Sequence, residues 1–273
     1  MPRSAGFAAF LIGVAFSFPP LALADSTQIS AAGSTALQPL VQAAAEAYES
    51  QHPDVKISVT GGGSRTGLAL VASKAVDVGD SDILATGQDE LVDHKVAVVG
   101  FSVVVNPDDG VTGLTKKQIQ DIFSGKVTNW KDVGGKDLGI TVINRPASSG
   151  TRAVFVKTLM GSVELNKSTS TEDATGTVVQ KIKQTPGAVS YASFSGTHNQ
   201  TGLLEVAIDG ARPADEDVES GKYPFWSYEH MYTYGPPTTA VSRFLAFLQS
   251  NSTLMHQTGY ILIREMKVSE TDR

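Results

Sequence analysis

Three Gly/Ser/Thr-rich turns, each placed to open a helix, constrain this chain more than any other feature. They are Gly33-Ser34-Thr35, Gly61-Gly62-Gly63-Ser64 and Ser148-Ser149-Gly150-Thr151. A fourth turn, Gly79-Asp80-Ser81-Asp82, sets aspartates among small residues. A helix start carries unpaired N–H groups and partial positive charge. Small residues let the backbone approach a ligand, and hydroxyls add donors. One such turn is a cap. Three of them, with Arg145 just upstream of the third, suggest a cage for a small oxyanion.

Hydrophobic spacing around the turns gives the frame. Leu37, Leu40, Val41, Ala44 and Tyr48 recur on one helical face, which predicts a helix over Ser34–Ser50 capped by Ser34 or Thr35. Val55–Thr60 alternates as a strand, Thr66–Lys74 reads as a second helix, and Val76–Gly79 as a short strand ending at Ser81-Asp82. A β–α–β–α–β start implies a parallel α/β sheet. Val96–Asn106 is apolar and longer than an ordinary strand of about 5–6 residues, so it can cross between two lobes. Further helices are expected over Thr115–Ser124, Ser149–Met160, Thr175–Gln184 and Thr239–Ser250. Strands are expected over Leu138–Ile143, Ala188–Ala192 and Trp226–Tyr234, the last an aromatic candidate for a return crossing. Asp209–Lys222 reads as a polar connection, and Gly259–Ile263 as a last apolar strand or helix end. All four turns fall at strand ends, where open α/β sheets bind ligands.

Arg3, the apolar run Ala5–Phe18 and the A-x-A site Ala22-Leu23-Ala24 read as a secretory leader, 1–24, whose removal leaves Asp25 at the N-terminus. The run is short for a membrane span of about 20 residues, and Pro19-Pro20 breaks it. Cleavage removes one basic and no acidic residue, so a net charge of −6 becomes −7. No dense Lys/Arg block offers a nucleic-acid footprint. An acidic chain that binds an anion must do so with local dipoles and donors. The 273 residues include no cysteine, which leaves stability to a core rather than disulfides and excludes a lipid-modified N-terminal cysteine.

Taken singly, the turns read two ways. Ser34 and Thr35 alone fit an ordinary helix cap. Three glycines before Ser64 exceed what a cap needs, and mark either a flexible turn or a close approach to the backbone. Arg65 reaches an anion, covers a cleft, pairs with Asp80, or stays a solvated helix charge. The third turn is the most specific. Arg145 offers a planar fork of donors that matches an oxyanion, and Ser149, Gly150 and Thr151 add donors at a helix start. The alternative there is a surface arginine beside a Ser-rich cap. Asp82 is either a capping residue or a selectivity device. A carboxylate can accept the O–H that phosphate keeps near neutral pH, and it repels sulfate, which has none. Enzyme patterns are missing: no G-x-S-x-G elbow, no H-E-x-x-H and no Walker A spacing. The histidines (His52, His94, His198, His230, His256) lie outside the four turns. No catalytic residue, metal site or cofactor is expected.

The segments Ala32-Gly33-Ser34-Thr35-Ala36-Leu37, Gly61 to Gly67, Gly79-Asp80-Ser81-Asp82, Asn144-Arg145 through Ser149-Gly150-Thr151-Arg152 and Gly187-Ala188-Val189-Ser190-Tyr191 stand in a telling order. Together the ordered set resembles the phosphate-binding proteins of bacterial high-affinity phosphate ABC importers. Phe101 to Pro107, Leu114 to Trp130 and Gly221-Lys222-Tyr223-Pro224 are similar too, so the resemblance spans nearly all of the mature chain. It implies an α/β, two-lobed, type II periplasmic-binding-protein fold. Each lobe would be a mainly parallel sheet flanked by helices, with the ligand in the cleft between lobes. Residues 25–103 and 225–273 would form a discontinuous first lobe and 104–224 the second. The resemblance implies phosphate contacts from Ser34, Thr35, the Ala36 backbone and Ser64, a proton acceptor in Asp82 and a charged contact in Arg145. Ser149, Gly150 and Thr151 would close the cage from the second lobe, and Ser81 is a further candidate. Inorganic phosphate and an ABC permease are the implied partners, with no nucleic acid. The chain is expected to be a monomer, periplasmic or secreted. Alternatives on the same fold are a binder of another tetrahedral oxyanion, such as sulfate or molybdate, and a secreted phosphate-sensing module.

Overall fold

The computed structural model describes Met1, residues 26–197 and residues 200–269. The expected leader run, its cleavage site and His198 lie outside these residues. Strands are β1 (Thr27–Gly33), β2 (Val55–Thr60), β3 (Val78–Ser81), β4 (Leu91–Val105), β5 (Gly113–Leu114), β6 (Thr141–Asn144), β7 (Ser170–Thr171), β8 (Ala188–Ser193), β9 (Leu204–Ile208) and β10 (Trp226–Tyr234). Helices are α1 (Gln38–Gln51), α2 (Ser64–Ala72), α3 (Lys116–Phe123), α4 (Gly150–Phe155), α5 (Thr175–Gln184), α6 (Phe194–Thr197), α7 (Asp215–Glu219), α8 (Thr239–Ser250) and α9 (Ser252–Gln257).

The sheet runs β2-β1-β3-β10-β4-β8-β6-β7, with β9 beside β4 and β5 beside β9. Pairing direction divides it cleanly. β1 with β2 and β3, β6 with β7 and β8, and β5 with β9 are parallel. Every antiparallel pairing involves β4 or β10. β4 pairs β10 from Leu91 to Gly100 and then β8 from Phe101 to Val105, so it links the two halves of a two-lobed α/β molecule. The long apolar strand expected to cross is β4, whereas the aromatic strand Trp226–Tyr234, β10, pairs only with β3 and the Leu91–Gly100 part of β4. From Val96 to Val105 every residue of β4 is buried, and α6 and α8 both pack on it. That coverage accounts for a continuous apolar run in place of alternation.

Boundaries differ where side chains compete with the helix. The first helix begins at Gln38 and not at Ser34, because the Ser34 hydroxyl accepts from Ala36 and Leu37 N–H at 3.0 Å and holds a tight turn ahead of it. The second helix starts two residues earlier than expected, at Ser64. β4 reaches back to Leu91, since Asp93, His94 and Lys95 pair with β10 despite their polarity. The expected Ser149–Met160 helix is α4 followed by a π-type turn over Val156–Met160. The strand expected over Leu138–Ile143 is β6, shifted to Thr141–Asn144. The polar stretch Asp209–Lys222 contains α7. The strand β9 was not signalled, because Leu204–Ile208 carries Glu205 and is short. Near the end, Ile261 only bridges Val98, and Ile263–Glu265 is a 3-10 turn.

The core also aims the site. Phe155 stacks on Tyr191 at 4.1 Å between ring centres and 11° between planes, and Phe123 and Phe225 lie against the pair. A stacked aromatic pair adds about 0.5–1.5 kcal/mol beyond its buried area. The Tyr191 hydroxyl emerges from the stack to donate to Asn144 Oδ1 at 2.5 Å, and that oxygen also accepts from Arg145 N–H at 2.9 Å. Packing thus fixes the backbone at the end of β6, from which Arg145 departs. Among the described residues, no helix is long and apolar enough to cross a membrane.

Candidate functional site

The four turns converge. Ser34, Thr35, Ser64, Asp82, Arg145, Ser149 and Thr151 are all buried, although they are polar and lie at strand ends or helix starts. Buried polar groups need partners, and here they find each other. Asp82 sits at the centre. Its Oδ1 accepts from the Ser34 hydroxyl and its Oδ2 from Thr151 Oγ1 at 2.9 Å. Its N–H donates to Ser64 Oγ at 2.9 Å, and its carbonyl accepts from Ser227 Oγ at 2.7 Å. Arg145 approaches from the other side. Its Nη2 donates to Thr35 Oγ1 at 3.1 Å and to the Asp173 carbonyl at 3.0 Å.

Two nitrogens of that guanidinium, with three N–H groups, are not used this way. Arg145 Nε and Nη1 are buried and find no acceptor among the described residues. A buried donor without a partner costs about 1–3 kcal/mol, more when charged. The arrangement is a cation with free donors held beside a carboxyl acceptor, enclosed by hydroxyls, which is the complement of a protonated oxyanion.

The close approach foreshadowed by Gly61-Gly62-Gly63 is an approach of the protein to itself. Gly63 has φ +90°, and a Cβ there would lie 2.7 Å from the Ser148 carbonyl. That same carbonyl accepts from Arg65 N–H at 3.1 Å. The second and third turns therefore meet edge to edge. Gly150 is tighter still, since a Cβ on it would stand 2.1 Å from Ser64 Oγ and 3.0 Å from Asp82 Cβ.

The remaining sequence candidates are placed as follows. The Ala36 N–H donates to Ser34 Oγ, and its carbonyl accepts from Tyr260 and, at 3.0 Å, from Ser195. Ser149 Oγ accepts from Arg152 N–H at 3.2 Å and so caps α4. The Ser81 hydroxyl turns to the Ile83 carbonyl at 2.6 Å and away from Asp82. Arg65 is exposed and does not pair with Asp80, whose carboxyl is fully buried with no hydrogen-bond partner among the described residues.

Three participants escaped the sequence reading. Thr175 at the start of α5 sends its N–H to Thr35 Oγ1 at 3.3 Å, which makes α5 a further helix start at the site. Its segment Ala174-Thr175-Gly176-Thr177 carries the same small-and-hydroxyl signature as the other turns and could have been found by it. Glu229 and Asp80 are the others. Both are fully buried, on β10 and β3; Asp80 lies two residues before Asp82 in the fourth turn, and the pairing of β10 with β3 brings Glu229 to them.

The acid cluster behind the site is held largely neutral. Burial raises Asp80 from 3.8 to about 8, with the Asp82 charge adding to it. Burial likewise pushes Glu229 well above its ordinary value, reinforced by Asp82 and Asp80. Asp82 is also raised by burial, against hydrogen bonds from Ser34 and Thr151 and the Arg145 charge. Two protonated carboxyls and one proton-avid carboxylate repel an anion far less than three charges would.

Linkage turns this into a stability prediction. Asp80 has a folded-state pKa above its unfolded value, so its contribution is fully present at low pH and is lost as pH rises between 3.8 and about 8. Removing the titration in Asp80→Asn flattens that loss. Urea unfolding at about pH 5 and about pH 8 should show the variant losing about 2–4 kcal/mol less than the parent across the interval. Parallel losses in the two proteins contradict the assignment.

Comparison with known proteins places this geometry. A family model, the PBP superfamily domain, matches residues 22–252. The phosphate-binding protein PstS of Bacillus subtilis is 43% identical over 252 residues, covering 89% of this chain and 83% of the relative. A substrate-binding protein assigned to a phosphate ABC transporter of Clostridium perfringens, solved with bound phosphate, superposes with a TM-score of 0.82 at 27% identity, covering 87% of this chain and 100% of that one. An ABC-type phosphate transport receptor from Vibrio cholerae superposes with a TM-score of 0.70 at 28% identity, covering 85% of this chain and 99% of that one. By the family model over most of its length and the relative at 43% identity, this chain belongs to the PBP superfamily, within the phosphate-binding proteins of bacterial phosphate ABC importers.

Proposed function

We propose that the protein captures inorganic phosphate between its lobes and delivers it to an ABC permease. In this reading, residues 25–103 and 225–273 form one lobe and 104–224 the other. Ser34, Thr35, the Ala36 backbone, Ser64 and Asp82 bind from the first lobe, and Arg145, Ser149, Gly150 and Thr151 from the second. The observation that carries it is the pairing of opposites in one buried unit. Arg145 offers two nitrogens, carrying three N–H groups, that no described residue claims, and Asp82 offers a carboxyl whose proton affinity burial has raised. A phosphate that still bears an O–H satisfies both at once. Sulfate satisfies only the arginine and meets a carboxylate with which it has no proton to share. Sites built around a ligand hydroxyl reject analogues lacking it by about 10⁴-fold or more.

The reading includes export with removal of residues 1–24, a monomeric binding protein and no chemical step on the ligand. Among the described residues, no group of His, Cys, Asp and Glu is arranged to hold a metal ion. Thermal unfolding tests the ligand assignment. A ligand bound by the native state alone stabilises it by about 2.7 kcal/mol at 100 times its Kd, so phosphate should raise Tm in a concentration-dependent way while equal sulfate leaves it nearly still. Equal shifts with the two anions contradict the proposal.

A further inference from the structure

Arg65 was the one cation of the turns left without a role, and the structure gives it a counterpart. Beside Asp82 a cavity of about 460 Å³ opens between the lobes. Its wall carries Arg65 from α2, Lys157 from the π-type turn after α4, and His230 and Ser227 from β10. A second cleft along the same seam is lined by Arg65, Lys157 and Arg152. Arg65 and Lys157 thus line both clefts, one from α2 and one from the turn after α4, and both are exposed. Neither makes an ion pair with a described acidic residue. Arg152, by contrast, is held by the Arg145 carbonyl at 3.1 Å. The carboxylate lining the cavity is Asp82, and its oxygens are taken by Ser34 and Thr151. The imidazole of His230 is engaged by Asp93 at 2.8 Å.

A chain of net charge −6 repels anions at long range. Two exposed cations that line the same cleft, neither in an ion pair with a described residue, reverse that field locally, and low-dielectric walls focus it. We propose that Arg65 and Lys157 form an outer anion-docking station, at which phosphate is captured from solution before it passes to the Asp82–Arg145 cage. The inference rests on the phosphate reading above and concerns the route into that site. The station acts on the encounter and not on the final complex, because Arg65 and Lys157 make no side-chain hydrogen bond to the cage residues.

Stopped-flow fluorescence with inorganic phosphate, at low and at physiological ionic strength, tests it in the full chain. Steering of this kind changes association rates by about 10- to 10³-fold. The double variant Arg65→Ala/Lys157→Ala should therefore lose about 10-fold or more in kon at low salt, with koff changed less than about two-fold. Parent kon should fall steeply with added salt, and variant kon much less, since the charges being screened are gone. The charge-retaining Arg65→Lys/Lys157→Arg protein should keep the parent rate and its salt dependence. Ordinary phosphate binding with an unchanged kon, or a loss confined to koff, overturns the docking station alone. Absence of phosphate binding by the parent protein at equilibrium overturns the parent reading and the station with it.

Discussion

Arg145→Ala should weaken phosphate binding by about 30-fold to several thousand-fold, while the ligand-free protein keeps its fold and its stability. The two halves of that expectation have one cause. Arg145 is 2% exposed, with Nη2 on Thr35 and Asp173 and the three N–H groups of Nε and Nη1 unclaimed by any described residue. Losing one partner of a buried, hydrogen-bonded charge pair costs about 2–5 kcal/mol in binding, which is the stated range in affinity. In the ligand-free protein the guanidinium is a burden, because its buried donors lack acceptors and burial lowers its pKa against the pull of Tyr191, Asp82 and Asp173. Removing it leaves the Asp173 carbonyl and Thr35 to find water. Arg145→Lys should not rescue binding, since a point ammonium cannot reproduce the planar fork. Titration calorimetry reads the affinity, and thermal unfolding without phosphate reads the stability. Near-parental affinity in Arg145→Ala contradicts the site.

The second large effect comes from a single methyl group. Gly150→Ala places a Cβ 2.1 Å from Ser64 Oγ and 2.8 Å from Ser64 Cβ, across the seam between α4 and α2. Ser64 is fully buried and its hydroxyl is committed to the Asp82 N–H, so it has nowhere to turn. Overpacking of this kind costs about 1–3 kcal/mol, occasionally more. In the two-lobe division proposed above, the penalty applies only where the lobes meet. Phosphate affinity should fall by about 5- to 150-fold, while Tm without phosphate moves little. Small-angle scattering should show less compaction on adding phosphate than in the parent. Adding Ser64→Gly to Gly150→Ala makes room for the methyl and should restore compaction, at the loss of one hydroxyl from the cage. Full compaction in the single variant shows that closure does not bring these residues together.

How much of this was legible in the residues follows from range. The β–α–β–α–β start, the crossing strand β4 and the four turns rest on local periodicity and on short Gly/Ser/Thr signatures, and those signals survive in one dimension. Helix starts were displaced by two to four residues, because the Ser34 hydroxyl ties up backbone N–H groups before Gln38, whereas Ser64 already lies inside α2. What sequence could not show is what strands bring together from afar. Glu229 joins Asp80 and Asp82, neighbours in the fourth turn, in one buried acid cluster only through the pairing of β10 with β3. Asn144 and Tyr191 are joined by a hydrogen bond that depends on aromatic packing around Phe155. Thr175 was legible and passed over: its turn has the composition of the others, but no charged residue like Arg145 drew attention to it.

The central claim is that Asp82 reads the proton on the ligand, and one ratio tests it. In the parent protein, calorimetry against phosphate and sulfate should give an affinity ratio of about 10⁴ or more in favour of phosphate. In Asp82→Asn the amide both donates and accepts. It can still satisfy Ser34 or Thr151, but it no longer repels an oxyanion that carries no proton. Phosphate should lose affinity, sulfate should lose less or gain, and the ratio should fall by about 10-fold or more. A ratio unchanged by Asp82→Asn contradicts the account.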